Sequence, residues 1–260
     1  MPEAMIIDFG ADTGSRLKRF SQTADVDYWT SCWQHVPDVS YVRECRGHLA
    51  HQLRDTWKRW VPSGARVLEA GCGLGHFTVA ASALGHRAEG LDWSEPTIGR
   101  LRERFPSIPW HVGDVRQLQF PDDTFDSVYS PGVCEHFEEG PAAVLTEMRR
   151  VLRPGGVAVV TSPCFNPWLQ ERASDLTSVQ APPGAVFYEY VFTPDGMKTL
   201  LEQLAFEVVQ VRPYAALDTL LRYGGWRVPG PTKGLLALTL DYLPIVRNWG
   251  SSCVWVARKR

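Results

Sequence analysis

Two rhythms of apolar and polar positions alternate along the middle of the chain. Short apolar runs that read as strands lie at Ala65–Ala70, His86–Leu91, Ile108–Val112, Phe125–Ser130 and Val157–Thr161. Between them come stretches of helical character at Phe77–Leu84, Glu95–Phe105 and Ala142–Leu152. The punctuation agrees with this reading. Pro62-Ser63-Gly64 precedes the first strand, Gly85 closes the first helix, and Pro154-Gly155-Gly156 stops the third. Ser94 stands at the N-cap position of the second helix, with Pro96 in its first turn. Strands alternating with helices pair in parallel through right-handed crossovers, which predicts a doubly wound α/β sheet. Such sheets hold ligands at the carboxyl ends of their strands, near the point where strand order reverses.

The flanks read differently. Residues 1–62 are rich in aromatic side chains and are expected to form a helical cap; residues 63–260 form the main domain. The connection near 163–192 is rich in proline and aromatic residues and is long for a compact domain, as lids often are. Thr193-Pro194-Asp195 opens a helix running to about Leu204. Phe206–Val211 and Ser252–Ala257 read as the last two strands, separated by an apolar insertion near 212–251 that would cover a substrate or form a homodimer interface.

Chemistry-bearing residues recur just after the strands. The first strand ends in Glu69-Ala70-Gly71-Cys72-Gly73-Leu74-Gly75, the second in Asp92-Trp93-Ser94, and the third in Gly113-Asp114-Val115. The fourth ends in Ser130-Pro131-Gly132-Val133-Cys134-Glu135-His136. Glycines allow a sharp turn and close approach of a ligand to the backbone, and an acid about twenty residues later can accept ribose hydroxyls. Together with Phe125-Asp126-Ser127-Val128 and Leu152-Arg153-Pro154-Gly155-Gly156, this order resembles the class I S-adenosylmethionine-dependent methyltransferases of small-molecule type, over roughly residues 60–162. The resemblance implies a seven-stranded Rossmann-like sheet whose last two strands form an antiparallel hairpin at its edge. It also implies S-adenosylmethionine as cofactor. Glu69, Gly71 and Ser130 would then lie near the methionine end and Gly73 would leave room for the ligand. Asp92 would hold the ribose, while Trp93, Asp114 and Val115 would meet the adenine. Tyr28, in the N-terminal segment, would close over the donor.

A nicotinamide-dependent dehydrogenase is the rival at the level of fold. Its phosphate turn is spaced G-x-G-x-x-G, whereas Gly71, Gly73 and Gly75 are evenly spaced here. Acids at Glu69 and Asp114 also suit a sulfonium amino acid better than a diphosphate. His136 is the candidate catalytic base, because it follows the fourth strand and titrates near neutrality. The expected acceptor is a small apolar or aromatic metabolite, methylated at oxygen. Transfer to nitrogen or carbon, for example on a quinone ring, and a non-catalytic donor-binding scaffold are the alternatives.

Composition narrows the partners. There are 27 basic and 29 acidic residues for a net charge of −2, so nothing global would hold a phosphate backbone and a nucleic-acid partner is not expected. No apolar run approaches the roughly 18 residues of a bilayer span. Glu3, Asp8 and Asp12 near the start do not suit a secretory leader. Six irregularly spaced cysteines read as reduced thiols of a cytoplasmic protein, and no Cys/His cluster announces a metal site.

Overall fold

The computed structural model describes residues 4–10, 14–21, 26–34, 41–173, 183–222, 227, 236, 239–240, 243 and 248–260. Seven strands form the main sheet: β3 (Arg66–Ala70), β4 (Arg87–Asp92), β5 (Trp110–Val112), β6 (Phe125–Pro131), β7 (Leu152–Pro163), β9 (Phe206–Tyr214) and β10 (Ser252–Lys259). Their spatial order is β5-β4-β3-β6-β7-β10-β9. β3 pairs in parallel with both β4 and β6, and β10 runs antiparallel between β7 and β9. The order therefore reverses between β3 and β6, which opens a crevice beyond their carboxyl ends.

The strands are apolar on both faces because helices cover both sides. Within each strand, alternate residues separate cleanly between the two faces. Val67, Val157, Val159, Val254 and Val256 pack on one face with Leu53 and Trp57 of α2 (His51–Trp60) and Phe77 and Ala80 of α3 (His76–Ala83). Leu68, Ala158, Val160, Trp255 and Ala257 pack on the other. There they meet Leu145 and Met148 of α5 (Ala142–Val151) and Leu200 of the helix Pro194–Gln203. Thr193 caps that last helix, its side chain accepting from the Gly196 N–H, as its position in the sequence predicts. The helix α4 (Glu95–Arg104) starts after Ser94, but the Ser94 hydroxyl makes no bond to a helix N–H. It meets Thr97 Oγ1 at 2.8 Å and Thr30 Oγ1 at 2.9 Å.

The cap departs from the sequence expectation. Among its described residues it is helical only at α1 (Val26–Gln34), α2 and one short turn at Glu44–Arg46, whereas β1 (Ala4–Gly10) and β2 (Gly14–Ser21) form an antiparallel hairpin. β2 pairs with a strand from the connection after β7, β8 (Val186–Phe192), giving a second, three-stranded sheet. The physical reason lies outside residues 1–62: the hairpin becomes stable as part of a sheet because β8 supplies a third strand. β8 is itself anchored at its end, where the Phe165 N–H donates to the Phe192 carbonyl at 2.8 Å and Tyr190 and Phe192 sink into the main core. Within the connection, α6 (Pro167–Glu171) packs Leu169 against Leu17 of β2 and Val191 of β8. In the 212–251 insertion, Ala216–Arg222 is a helix with Leu217 and Leu220 buried. Tyr223, Trp226, Leu235 and Tyr242, named by sequence as part of that cover, lie outside the described residues, as does Pro182 of the earlier connection. Among the described residues, no helix is long and apolar enough to cross a membrane.

Candidate active site

The turn after β3 is built by residues with left-handed backbone. Gly71 has φ +82° and Gly75 φ +69°, and a side chain at Gly75 would come within 2.6 Å of the Trp110 ring. Asp92, at the end of β4, ties this turn to the next. Its carboxylate accepts from the Gly73 N–H at 2.8 Å and from the Ser94 N–H at 3.0 Å. Burial raises the Asp92 pKa, opposed by these backbone bonds. A cavity of about 150 Å³ lies over the turn, at the β3/β6 reversal. Six of the residues named from the sequence border it: Gly71, Gly73, Asp92, Trp93, Val115 and His136.

The other four stand back from it. Glu69 is buried and accepts from Thr78 at both the backbone N–H (2.9 Å) and the hydroxyl (2.6 Å), so it secures the first turn of α3. Burial pushes its carboxyl up to about 8. Glu69 borders a neighbouring cavity, and Pro131 borders both. Ser130 is fully buried with no partner for its hydroxyl oxygen. Asp114 is clasped by Arg116, whose Nη2 lies 2.8 Å from Oδ2 and whose backbone N–H donates to Oδ1. That pairing holds the Asp114 carboxyl below the usual range against a partial burial that would raise it. Tyr28 packs edge-on against Trp29 and Tyr188, and burial raises its pKa. The cavity is met instead by Trp29 and Trp33, one and five positions farther along α1 (residues 26–34), together with Pro131, Gly132, Val133 and Phe137. The aromatic content of residues 20–60 pointed to this segment, but the turn of α1 that faces inward depends on how it docks. Thr30 bonded to Ser94, and the Trp33 carbonyl accepting from Arg100 at 3.2 Å, set that docking.

His136 occupies a short 3-10 turn, Cys134–His136, under β8. Its Nδ1–H donates to the Tyr188 carbonyl at 2.9 Å, because a carbonyl can only accept. Burial lowers the imidazole pKa, which favours the neutral ring with a lone pair on Nε2. Nε2 lies 4.0 Å from Glu189 Oε2. The other Glu189 oxygen, Oε1, accepts from Arg19 Nη1 of β2 at 2.6 Å. Glu135 beside it is 1% exposed, and burial together with the nearby Glu189 raises its carboxyl pKa strongly. Trp29 meets the His136 ring edge-on at 4.7 Å. Sequence reasoning missed Glu189 altogether. Only a run of aromatic and β-branched residues around it, Val186-Phe187-Tyr188-Glu189-Tyr190-Val191-Phe192, hinted at a strand.

Residues 68–160 match the family described as a methyltransferase domain. A probable S-adenosylmethionine-dependent methyltransferase of Mycolicibacterium smegmatis is 39% identical over 131 residues, covering 50% of this chain and 45% of the relative. A malonyl-[acyl-carrier protein] O-methyltransferase of Erwinia pyrifoliae is 40% identical over 115 residues, covering 44% and 41%. The chain thus spans less than half the length of either relative. The solved structure of a Burkholderia thailandensis 1,6-didemethyltoxoflavin-N1-methyltransferase, with bound 1,6-didemethyltoxoflavin and S-adenosylhomocysteine, shares the fold. Its TM-score is 0.58 at 17% identity, covering 98% of this chain and 99% of that one. Residues 68–160 thus carry a methyltransferase domain, and the chain is similar to S-adenosylmethionine-dependent methyltransferases. S-adenosylmethionine is the cofactor this similarity supports, and the crevice at the β3/β6 reversal is where a fold of this kind holds a ligand.

Proposed function

We propose that the protein transfers the methyl group of S-adenosylmethionine to oxygen of a small apolar or aromatic metabolite. The observation that carries this reading is one shared cavity. The Gly71–Gly73 turn and Asp92 border it from the donor side, and His136 borders it from beneath β8. Asp92 accepts the ribose hydroxyls, Trp93 and Val115 flank the adenine, and Asp114 accepts the adenine amine on an edge it shares with Arg116. The methionine end passes Gly71 and Ser130 toward Pro131, where the Glu69 cavity adjoins. The cavity is smaller than the roughly 300 Å³ of a typical ligand site. Trp29 and Trp33 therefore move with α1 to admit the donor and close over it, with Tyr28 carried along.

In the reaction, the acceptor oxygen attacks the methyl carbon, the carbon–sulfur bond breaks, and S-adenosylhomocysteine leaves with the sulfur electron pair. The hydroxyl proton must also leave. His136 takes that proton on its Nε2 lone pair, since Nδ1–H is committed to Tyr188. Positioning is the larger part of the catalysis, because a sulfonium is already a good leaving group and alignment can supply about 7 kcal/mol or more. Aromatic faces at Trp29, Trp33 and Phe137 support a flat acceptor, so nitrogen on a planar heterocycle is the second reading.

Calorimetric titration with S-adenosylhomocysteine, with NAD in parallel, tests the donor. Saturable binding of the first alone is expected, followed by transfer of a labelled methyl group to phenolic, quinone or carboxylate acceptors. Binding of NAD alone would overturn the proposal. Donor binding with no transfer to any acceptor would favour a scaffold.

A further inference from the structure

Behind His136, three side chains from two segments direct acceptor atoms into one gap. The atoms belong to Glu135, His136 and Glu189, and they lie within 4.8 Å of one another. His136 has spent its only neutral-ring N–H on the Tyr188 carbonyl, so Nε2 can only accept. Glu189 has committed Oε1 to Arg19, which leaves Oε2 facing Nε2 at 4.0 Å. Glu135 Oε2 is buried and has no hydrogen-bond partner. A buried polar atom without a partner costs about 1–3 kcal/mol, and more when it carries charge. With Glu135 ionised, three acceptors converge without a donor, and a positive charge between them would satisfy all three.

We propose that Glu135, His136 and Glu189 form a binding site for a divalent cation, against the sequence expectation of no metal site. Two carboxylate oxygens and one imidazole nitrogen suit a first-row ion such as Mn²⁺. Around a six-coordinate ion with bonds of about 2.1 Å, neighbouring donors sit about 3 Å apart and opposite donors about 4.2 Å apart. The spread of up to 4.8 Å exceeds that by less than an ångström, which side-chain rotation closes. The charges also fit: two carboxylates and the Arg19 guanidinium sum to −1, so a dication is not over-neutralised. Arg19 and Glu189 are both about nine-tenths buried and hold the second oxygen in place.

The position gives the ion a task. His136 borders the cavity at the β3/β6 reversal, while Glu189 and Tyr188 border a second, polar cavity of about 340 Å³. The ion sits between the two with three coordination positions open. An acceptor carrying two adjacent oxygens would chelate it, and the bound hydroxyl would lose its proton to solvent before the methyl carbon is attacked. With the ion bound, the Nε2 lone pair is a ligand, so the ion takes the place of His136 as the group that acts on the hydroxyl. That task rests on the methyl-transfer reading; the binding of the ion does not.

Chelator-treated protein titrated with Mn²⁺ and followed by the paramagnetic signal of the free ion tests this. One Mn²⁺ per chain is expected to bind, displaced by Zn²⁺. Glu135→Gln, which keeps size and polarity, should weaken binding by about tenfold or more, as should Glu189→Gln. Glu189→Gln disturbs the Arg19 pair, so Glu135→Gln is the decisive variant. No uptake by the parent protein, or equal uptake by Glu135→Gln, would overturn the site. S-adenosylhomocysteine binding measured on the same samples separates the two proposals. Donor binding without Mn²⁺ uptake refutes only the ion, and Mn²⁺ uptake without donor binding refutes only the methyl transfer.

Discussion

The two walls of the cavity are made in different ways. The wall proposed for the donor comes from consecutive residues at strand ends, and its key contacts are between a side chain and nearby backbone: Asp92 to Gly73 and Ser94, Glu69 to Thr78. The acceptor wall is assembled from parts far apart in the chain. His136 rests on Tyr188, and Glu189 is held by Arg19, a pair separated by 170 positions. A local wall keeps its geometry whatever lies opposite. A wall built across segments exists only while every segment is docked, and it can be re-shaped without touching the sheet. One fold can thus keep its donor while its acceptor changes.

The sharpest way to divide the walls is His136→Ala. It removes the acceptor-side group and leaves the Gly71–Asp92 turn intact. Turnover should fall about 10²- to 10⁴-fold, as for loss of a general base or its equivalent, while affinity for S-adenosylhomocysteine stays within about twofold. Full activity would strip His136 of its role. A parallel loss of donor binding would show that the two walls are not separable.

Arg19→Met attacks the same wall from its support. The pair with Glu189 is buried at 2.6 Å, and removing one partner of such a pair costs about 3–5 kcal/mol. That cost should fall on the second sheet first. Hydrogen exchange should quicken at the amides of Arg16–Phe20 and Glu189–Phe192, with those of β3 and β6 unchanged. Uniform acceleration throughout would mean that both sheets unfold as one unit and that the distinction between walls has no energetic meaning.

The same division explains what could be read from the sequence. The main sheet was legible because each strand carries its own apolar run, and the seven strands and the helices α3 to α5 fall where the pattern puts them, except that β7 starts early, at Leu152, and includes the Pro154-Gly155-Gly156 turn. Gly71, Gly73, Asp92, Trp93 and Val115 were named from position alone, and all five border the cavity. Asp114 illustrates the limit, because position alone did not reveal that it stands back from the cavity with Arg116, two residues on, paired to its carboxylate. The hairpin of β1 and β2 was read as helix since its stability depends on β8, and no local pattern states which distant strand will pair. Trp29 and Trp33 replaced Tyr28 at the cavity for a related reason. Three aromatic residues on one short helix are equivalent until docking on α4 decides which turn faces inward.

Two further substitutions test the donor wall. Glu69 holds its proton up to about pH 8 in the folded protein, against an ordinary value of 4.5. Between these limits the unfolded chain has lost the proton and the folded chain keeps it, so stability falls as pH rises from about 4.5, with the loss complete near 8. Gln at this position retains an oxygen for Thr78 and cannot ionise. Glu69→Gln should therefore gain stability over the parent as pH rises, by on the order of 3 kcal/mol between pH 5 and 8. Urea unfolding at the two values measures it. A difference that does not change with pH would mean that the two Thr78 bonds keep the carboxylate ionised throughout.

The smallest expected effect is also the one that locates the boundary between the walls. Asp92 accepts from two backbone N–H groups and borders the cavity, so it is both part of the turn and available to a ligand. Asp92→Ala leaves the Gly73 and Ser94 N–H groups without their acceptor, and it removes the acceptor proposed for the ribose. The combined loss corresponds to about 1–3 kcal/mol, or roughly a 10- to 100-fold weaker affinity for S-adenosylhomocysteine. Asp92→Asn keeps one accepting oxygen and should fall between the two. If Asn restores thermal stability but not affinity, the carboxylate serves the ligand directly. If it restores both, the contribution of Asp92 is to the shape of the turn. Unchanged affinity in the Ala variant would remove Asp92 from the donor site, leaving Gly71 and Gly73 to hold the donor by backbone geometry alone.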